Sequence, residues 1–196
     1  MQRATQREET RQRIVDAAVE CFAALGFRGA STREIARRAG ANQGLITYHF
    51  GTKEALWRAA VTQIFDAMRA HLERERGGLP DGDPRERLRH TIRAYVRFAA
   101  ERPELLCLMI EEGKTDDARM TWLVDNHLRP IVDSVMVDDM PELDDTQRAH
   151  AYYALVGAGS VMFAVAPECR RLMGIDPRRE AVVEAHADFV ARMLVP

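Results

Sequence analysis

Apolar residues at helical spacing run along almost the whole of this 196-residue chain, and they constrain its fold more than any other feature. Near the N-terminus they recur at i, i+3, i+4, i+7, i+8 and i+11, at Ile14, Ala17, Ala18, Cys21, Phe22 and Leu25. This spacing places one apolar stripe along a helix. Helical patterns also cover about 53–76, 84–101, 103–112, 117–137, 144–166 and 177–194. Because the sequence contains no strand pattern or internal repeat, we predict an all-α fold.

Two short helices are predicted between the first helix and the long one at 53–76. Glycines that can end successive helices stand at Gly26, Gly40 and Gly51. Residues that can cap the helices that follow stand at Ser31, Asn42 and Thr52. Ser31 is followed three residues later by Glu34, which is the spacing of a reciprocal capping box. Loops are expected at 77–84, around Met140–Pro141 and around 174–176, where glycine and proline cluster.

Composition excludes several classes of protein. An apolar content of 46% supports a folded core and argues against disorder. The three cysteines are far apart and lack C-x-x-C spacing, which argues against a disulfide framework or a zinc site and fits a reducing cytoplasm. The first ten residues contain no hydrophobic signal region. The longest uncharged run, 151–167, is marginal for a membrane span of about 20 residues, so we expect a cytoplasmic protein without a membrane segment.

Charge is distributed unevenly along the chain. Residues 1–53 contain nine Arg and Lys against five Asp and Glu, whereas 54–196 contain 19 basic and 25 acidic residues. The net charge of −2 therefore combines a head of +4 with a body of −6. An anionic partner of the head would explain this asymmetry, and chance clustering of solvated charges explains it equally well.

The stretch A-N-Q-G-L-I-T-Y-H-F-G-T-K-E-A-L, residues 41–56, is polar but almost free of charge. Two short helices joined by a glycine-containing turn form a helix-turn-helix, whose second helix enters the major groove of DNA. Such a helix presents small or uncharged polar side chains to the bases. Gln43 can pair with adenine, and Thr47 or Leu45 can contact a thymine methyl group. Gly44 costs about 1 kcal/mol of helix propensity relative to alanine, and close approach of the backbone to DNA would justify that cost.

Donors suited to phosphate oxygens flank these positions at Thr32, Arg33, Tyr48, His49 and Lys53. Lys53 lies near a helix N-terminus, where its charge opposes the helix dipole, and a bound phosphate would relieve that conflict. Each position has an alternative explanation. Gln43 can simply solvate a surface helix, Tyr48 can pack its ring on the first helix, and His49 can lie in the core. Neighbouring positions predicted to be core are Ile35, Ile46 and Phe50.

The segment S-T-R-E-I-A-R-R-A-G-A-N-Q-G-L-I-T-Y-H-F-G-T-K-E-A-L resembles the DNA-binding signature of the TetR family of bacterial repressors, over about residues 10–57. The resemblance implies an all-α homodimer whose two heads bind a palindromic operator. It also implies a small-molecule effector that binds the larger domain and releases the DNA. The positions that match the family's DNA contacts are Thr32, Arg33, Gln43, Gly44, Leu45, Thr47, Tyr48, His49 and Lys53. Thr47 departs from the family, which often has a tyrosine there, and the departure removes a phosphate donor.

We therefore predict a three-helix DNA-binding domain at 1–53 and a helical effector-binding and dimerisation domain at 54–196. In the second domain the uncharged run and the last helix are expected to form an interface about a two-fold axis; the alternative is an intramolecular core. The candidate interface residues are Tyr152, Leu155, Val156, Gly159, Met162, Phe163, Val182, His186 and Phe189. The candidate liners of an effector pocket are Phe65, Met68, Phe98, Leu105, Met109, Trp122, His127 and Met136, with Cys107 and Glu111 as polar handles. Ordinary core packing would explain most of these liners equally well.

Catalytic and cofactor motifs are missing from the sequence. It contains no H-E-x-x-H, nucleophile elbow, P-loop or G-x-G-x-x-G. Glu111 and Glu112 lie about 100° apart on a helix, which makes a poor acid–base pair, and we predict that they form a solvated helix end. We expect a transcriptional regulator without cofactor or metal, most simply a repressor of double-stranded inverted-repeat DNA. The rival hypotheses are an all-α enzyme and a head that binds another protein.

Overall fold

The computed structural model describes residues 2–76, 83–134 and 143–195, and within these ranges the chain is helical with short connections. The helices are α1 Gln2–Gly29, α2 Thr32–Arg38, α3 Gln43–Phe50, α4 Lys53–Arg76, α5 Pro84–Glu101, α6 Glu104–Glu112, α7 Ala118–Leu123, a π-helical segment Val124–Leu128, α8 Arg129–Val132, α9 Asp145–Ala164, α10 Ala166–Met173 and α11 Glu180–Leu194. The predicted all-α fold is confirmed. The loop predicted around Met140–Pro141, most of the loop predicted at 77–84, and Met136 lie outside the described residues.

The described chain divides into two compact units. Unit 1 contains the residues up to Asp66 together with Cys107–Thr121, and unit 2 contains Ala67–Leu106 together with the residues from Trp122 onward. The functional boundary predicted after residue 53 stays a prediction, because a grouping by contacts does not test it.

The core of unit 1 joins the first four helices. Its most deeply buried side chains include Ile14, Phe22, Ile35, Ile46, Leu56 and Trp57. Gly26 interrupts α1 with φ +65°, a left-handed conformation that favours glycine, and one further turn then continues to Gly29. Leu25 directly precedes this kink and is 47% exposed, so the last residue of the apolar stripe predicted on α1 is not buried.

Local capping fixes the boundaries of the short helices. Ser31 Oγ accepts a hydrogen bond from the Glu34 N–H at 3.1 Å, and Asn42 Oδ1 accepts from the Gly44 N–H at 2.8 Å. Thr52 Oγ1 likewise accepts from the Ala55 N–H at 3.0 Å. All three predicted caps are confirmed. The reciprocal half of the Ser31 capping box is not formed, because the Glu34 carboxylate pairs with two arginines of α2 instead.

Helices α5, α9 and α11 form the core of unit 2. Buried apolar residues from all three helices interlock, including Ile92, Val96, Phe163, Ala187 and Val190. The outer edge of the α5–α11 contact carries two ion pairs, Arg93–Asp188 and Arg97–Glu184, each at 2.7 Å. These partners are partly exposed, so apolar burial contributes more to the packing than the ion pairs do.

Two predicted helices are interrupted in the structure. The helix predicted at 144–166 ends at Ala164, and a separate helix, α10, follows with Pro167 in its first turn; the sequence analysis missed α10. The helix predicted at 117–137 contains a π-helical segment at Val124–Leu128. Among the described helices, none alone has the length and apolar composition to cross a membrane, whereas α9 and α10 together, bent by 75°, meet that criterion.

Candidate nucleic-acid interface

The exposed face of α3 carries the uncharged polar residues that the sequence analysis selected. Gln43, Gly44 and Thr47 are exposed, whereas Ile46, between them in sequence, is buried in unit 1 as predicted. Leu45 is at the edge of exposure, and Tyr48 is 63% exposed. The buried Ile46 therefore anchors α3 and turns its polar face outward.

A hydrogen bond joins the first residues of the two short helices. Gln43 Nε2 donates to Thr32 Oγ1 at 3.3 Å. Since Asn42 caps α3 and Ser31 caps α2, the backbone at both ends of this contact is held by its own capping bond. The amide of Gln43 is thus oriented by its contact with α2, and neither its carbonyl oxygen nor its second N–H has a partner in the described part of the chain.

The packing of unit 1 does not account for Gly44. A Cβ atom built there would meet only Asn42 Oδ1, at 3.4 Å, an ordinary van der Waals distance. The backbone of Gly44 is also regular helix, which alanine adopts at lower cost. The internal packing of the described chain therefore does not explain why glycine occupies this exposed position.

The arginines of α2 differ in what they contact. Arg37 and Arg38 both pair with Glu34, at 2.7 and 2.9 Å, and these hydrogen bonds lower the pKa of that carboxyl to about 2. Arg33 is exposed, and no carboxylate of the described residues pairs with it. Arg33 is therefore the arginine of α2 with its charge uncompensated.

Arg7 and Arg11 of α1 were missing from the candidate site. The Arg7 guanidinium carbon lies 5.1 Å from the centre of the Tyr48 ring, and that of Arg11 lies 5.5 Å from the Phe50 ring. His49, half-buried beside them, has a pKa below its ordinary value, first because of burial and then because of these two charges. Their i, i+4 spacing on α1 was the signal that could have identified them.

Lys53, the first residue of α4, is half-buried. Its Nζ lies 4.6 Å from the centre of the Phe27 ring. Burial lowers the pKa of this ammonium, and the nearby charge of Arg119 lowers it further. Arg119 also pairs with Glu112, which is only 3% exposed. The prediction that Glu112 belongs to a solvated helix end was therefore wrong, because a cation from a later part of the chain covers it.

Most candidate pocket residues are buried. Phe65, Met68, Phe98, Leu105 and His127 are buried, while Met109, Trp122 and Cys107 are partly exposed. Phe65, Met109, Cys107 and Glu111 belong to unit 1, and the others belong to unit 2. The Trp122 and His127 rings lie 5.1 Å apart, edge to face, and His127 is in the π-helical segment. Such segments are frequent at functional sites, but the pocket itself stays a prediction.

The candidate interface residues of α9 and α11 lie in several environments. Gly159 and Phe163 are buried within unit 2, and His186 is bonded to the Ala158 carbonyl oxygen at 2.8 Å. Partly buried positions are Tyr152, Leu155, Val156, Met162 and Val182. Burial raises the pKa of Tyr152 to about 12. Phe189 is 57% exposed.

The sequence analysis missed a more exposed apolar stripe, which begins on α9 at Tyr153, one residue after the candidate Tyr152. Tyr153 is 72% exposed, and Val161 and Val165 follow it at helical spacing. Phe189 and Met193 expose a similar apolar face on α11. The helical spacing of apolar residues along α9 could have located this stripe. The sequence contains two apolar faces on α9, however, and does not indicate which of them packs against α5.

Comparison with known proteins finds a family match in the N-terminal part of this chain. Residues 14–60 match the family described as bacterial regulatory proteins, tetR family. The transcriptional repressor NicS of Pseudomonas putida is 28% identical over 159 residues, which cover 76% of this chain and 74% of NicS. The regulator SrpR of Pseudomonas putida is 45% identical over 58 residues, which cover 30% of this chain but only 27% of SrpR.

A solved structure extends the likeness to almost the whole chain. AibR, in complex with isovaleryl coenzyme A and operator DNA, matches with a TM-score of 0.70 and 17% identity, over 95% of this chain and 98% of that chain. At this identity the likeness shows the fold: an N-terminal helix-turn-helix domain followed by a larger helical domain.

Proposed function

This chain belongs to the TetR family of bacterial transcriptional regulators, and on that premise we propose that it is a homodimeric repressor released from its operator by a small molecule. The operator would be an inverted repeat, with one α3 helix in each half-site. The effector would bind in the C-terminal helical domain. The observation that carries this proposal is the outward polar face of α3, with an oriented Gln43 at its start.

The geometry of Gln43 suits recognition of adenine. Adenine offers an N6–H donor and an N7 acceptor in the major groove, so a glutamine reads it with one carbonyl oxygen and one N–H. The hydrogen bond from Gln43 Nε2 to Thr32 uses one N–H of the amide, so the carbonyl oxygen and the second N–H stay available for adenine. Leu45 and Thr47, on the same exposed face, supply the methyl groups that would contact thymine. Gly44 would allow the α3 backbone to approach the base edges.

Phosphate contacts would come from both sides of α3. Arg33 carries an uncompensated charge, and Thr32 and Tyr48 add hydroxyl donors. Arg7, placed over the Tyr48 ring, and Lys53 extend the cationic margin. His49 adds a ring N–H. Burial and the charges of Arg7 and Arg11 lower the pKa of this imidazole in the protein without DNA.

Exposed apolar surface on α9 and α11 supports the dimer. Tyr153 and Val161 lie on one face of α9, and Phe189 and Met193 expose large apolar side chains on α11. A single subunit would leave this surface in water, whereas a two-fold contact of α9 and α11 with their copies would bury it. Gly157 lies in the same stripe with open space around its Cβ position, which would let two helices approach closely.

Selection of genomic fragments by the purified protein tests the proposal. We expect one palindromic site, bound with a steep dependence on salt. Gln43→Ala should relax preference at one base pair of each half-site, at a cost of roughly 1–3 kcal/mol. Arg33→Ala should weaken binding to every sequence, whereas Arg37→Ala is the matched control, because its charge is paired with Glu34. Failure to enrich any site, or unchanged preference with Gln43→Ala, would contradict the proposal.

A further inference from the structure

Two cations lie against one aromatic ring in unit 1. The Phe27 ring has Lys53 Nζ at 4.6 Å from its centre and the Arg119 guanidinium carbon at 4.1 Å. The Arg119 guanidinium also lies 5.9 Å from the Trp57 ring. Lys53 begins α4, beside the helix-turn-helix, whereas Arg119 is in the first turn of α7. One ring thus connects a residue next to the proposed DNA-binding surface with the segment Cys107–Thr121.

The ring itself is firmly held. Phe27 follows the kink at Gly26, stacks on Phe22 at 6.0 Å and meets the Trp57 ring edge to face at 6.3 Å. Phe22 and Trp57 are both fully buried. The segment Cys107–Thr121 also reaches the kink, because the Glu111 carboxylate lies 3.2 Å from where a Gly26 Cβ would be. Phe27 is therefore a fixed platform for the two cations.

Arg119 is held equally firmly on its other side. Its guanidinium pairs with the buried Glu112 at 3.2 Å and with Asp117 at 2.7 Å. Asp117 in turn caps the start of α7 by accepting from the Arg119 and Met120 N–H groups at 2.9 and 3.2 Å. The Arg119 side chain is consequently fixed by Glu112 and Asp117, which belong to the same segment, Cys107–Thr121.

Lys53 has no comparable anchor. No carboxylate of the described residues pairs with it, and the ring that it contacts is shared with a second cation. Because like charges repel, Arg119 weakens the attraction of Lys53 to the ring. The ammonium is held close to the surface of unit 1 without being neutralised, which is the condition under which a phosphate oxygen would capture it.

We propose that Arg119 is a positioning residue that keeps Lys53 available to a DNA phosphate. This inference rests on the proposed function. With Arg119 in place, its charge weakens the hold of the Phe27 ring on Lys53, so that a DNA phosphate can draw the ammonium away from the ring. Without Arg119, the ring holds Lys53 more strongly and the phosphate contact is weakened.

A charge-balanced exchange tests the inference in the full-length protein. Removing Arg119 alone would leave Glu112 buried and unpaired, so the test variant is Glu112→Gln with Arg119→Met. The control exchanges an exposed ion pair of α4 in the same way, as Glu54→Gln with Arg58→Met. Both exchanges leave the net charge unchanged. The probe is the duplex recovered by fragment selection, with a mixed-sequence duplex as reference, titrated at several salt concentrations.

Lys53→Met should flatten the dependence of log K on log salt by about 0.9 per subunit, the value of one phosphate contact. The Glu112/Arg119 exchange should flatten it equally and lower affinity about three- to tenfold. It should cause no further loss in the Lys53→Met background, and the Glu54/Arg58 control should leave the slope unchanged. In the protein without DNA, NMR titration of the Lys53 Cε signal should show a raised pKa after the exchange, because the repelling charge is gone.

The outcomes separate the two hypotheses. If the unmodified protein binds no duplex in a salt-dependent manner, the proposed function fails. If it does bind, an unchanged slope in the Glu112/Arg119 exchange overturns the inference alone. Additive losses in the combined variant also overturn it, since they would place the effect of Arg119 elsewhere. Should the exchange prevent folding, Glu112→Gln with Arg119→Gln replaces it, because glutamines keep hydrogen-bonding groups at both positions.

Discussion

Replacement of Gly157 or Gly159 by alanine makes the same chemical change two residues apart on α9, in two different environments. A Cβ at Gly157 meets nothing within 4 Å. A Cβ at Gly159 would lie 3.0 Å from Cε1 and 3.2 Å from Cδ1 of the Tyr95 ring. That ring cannot withdraw freely, because the Tyr95 hydroxyl is hydrogen-bonded to Ser160 Oγ at 2.6 Å.

The free energies follow from these distances. Alanine in place of a mid-helix glycine stabilises the helix by about 1 kcal/mol. Because no atom of the described residues of the same subunit obstructs the new methyl group, Gly157→Ala should raise the free energy of unfolding of one subunit by this whole amount. Gly159→Ala should receive the same gain but lose about 1–3 kcal/mol to overpacking against Tyr95. We therefore expect Gly157→Ala to be the more stable of the two by about 1–3 kcal/mol in the free energy of unfolding.

Urea unfolding followed by circular dichroism measures this difference, at a concentration where sedimentation has established the association state of both variants. Sedimentation also tests the proposed interface. Gly157→Ala should weaken self-association, because its methyl group would intrude between paired α9 helices, whereas Gly159→Ala should leave association unchanged. Equal stabilisation by both alanines would refute the reasoning on Tyr95. Unaltered association with Gly157→Ala would remove Gly157 from the interface.

Three further results are expected. The pKa of His49 is lower in the folded chain than its ordinary value of 6.5, so the unfolded chain takes up a proton at a higher pH than the folded chain does. The free energy of unfolding of the wild type, relative to that of His49→Gln, should therefore fall as pH drops from about 8 to 5. A difference in urea midpoints that does not change with pH would contradict this. Phe189→Glu should convert the proposed dimer to monomers in sedimentation, whereas Leu25→Glu, at an exposed leucine of unit 1, should not. Tyr95→Phe should lower the free energy of unfolding by about 1–3 kcal/mol, since Ser160 loses its buried partner; an unchanged urea midpoint would exclude that role.

Local sequence rules predicted most of the secondary structure and the exposed face of α3. The caps at Ser31, Asn42 and Thr52 follow from hydrogen bonds within three residues, which a sequence displays directly. The sequence also marked Ile46 as an apolar position of α3, and it is buried. The interruption at Val165 was the largest error, because helical periodicity continues across it and only the bend separates α9 from α10.

Within the site, the sequence identified residue types but not their partners. It placed Gln43 at the start of α3, while the hydrogen bond that orients its amide is accepted by Thr32 Oγ1, on another helix. It included Lys53 and omitted Arg7, although both lie over aromatic rings of unit 1. Partners distant in sequence cannot be inferred from spacing, because spacing specifies which residues share a face and not what faces them.

The sequence by itself determined the helices, their caps and the polar surface of α3, because these depend on interactions between near neighbours. Only the tertiary structure decided that Glu112 is buried against Arg119, that Arg119 and Lys53 share the Phe27 ring, and that Gly159 packs on Tyr95. The physical reason is that burial and charge pairing depend on which segments meet in space. Segments far apart in sequence meet through packing of the whole chain, and no local pattern encodes that packing.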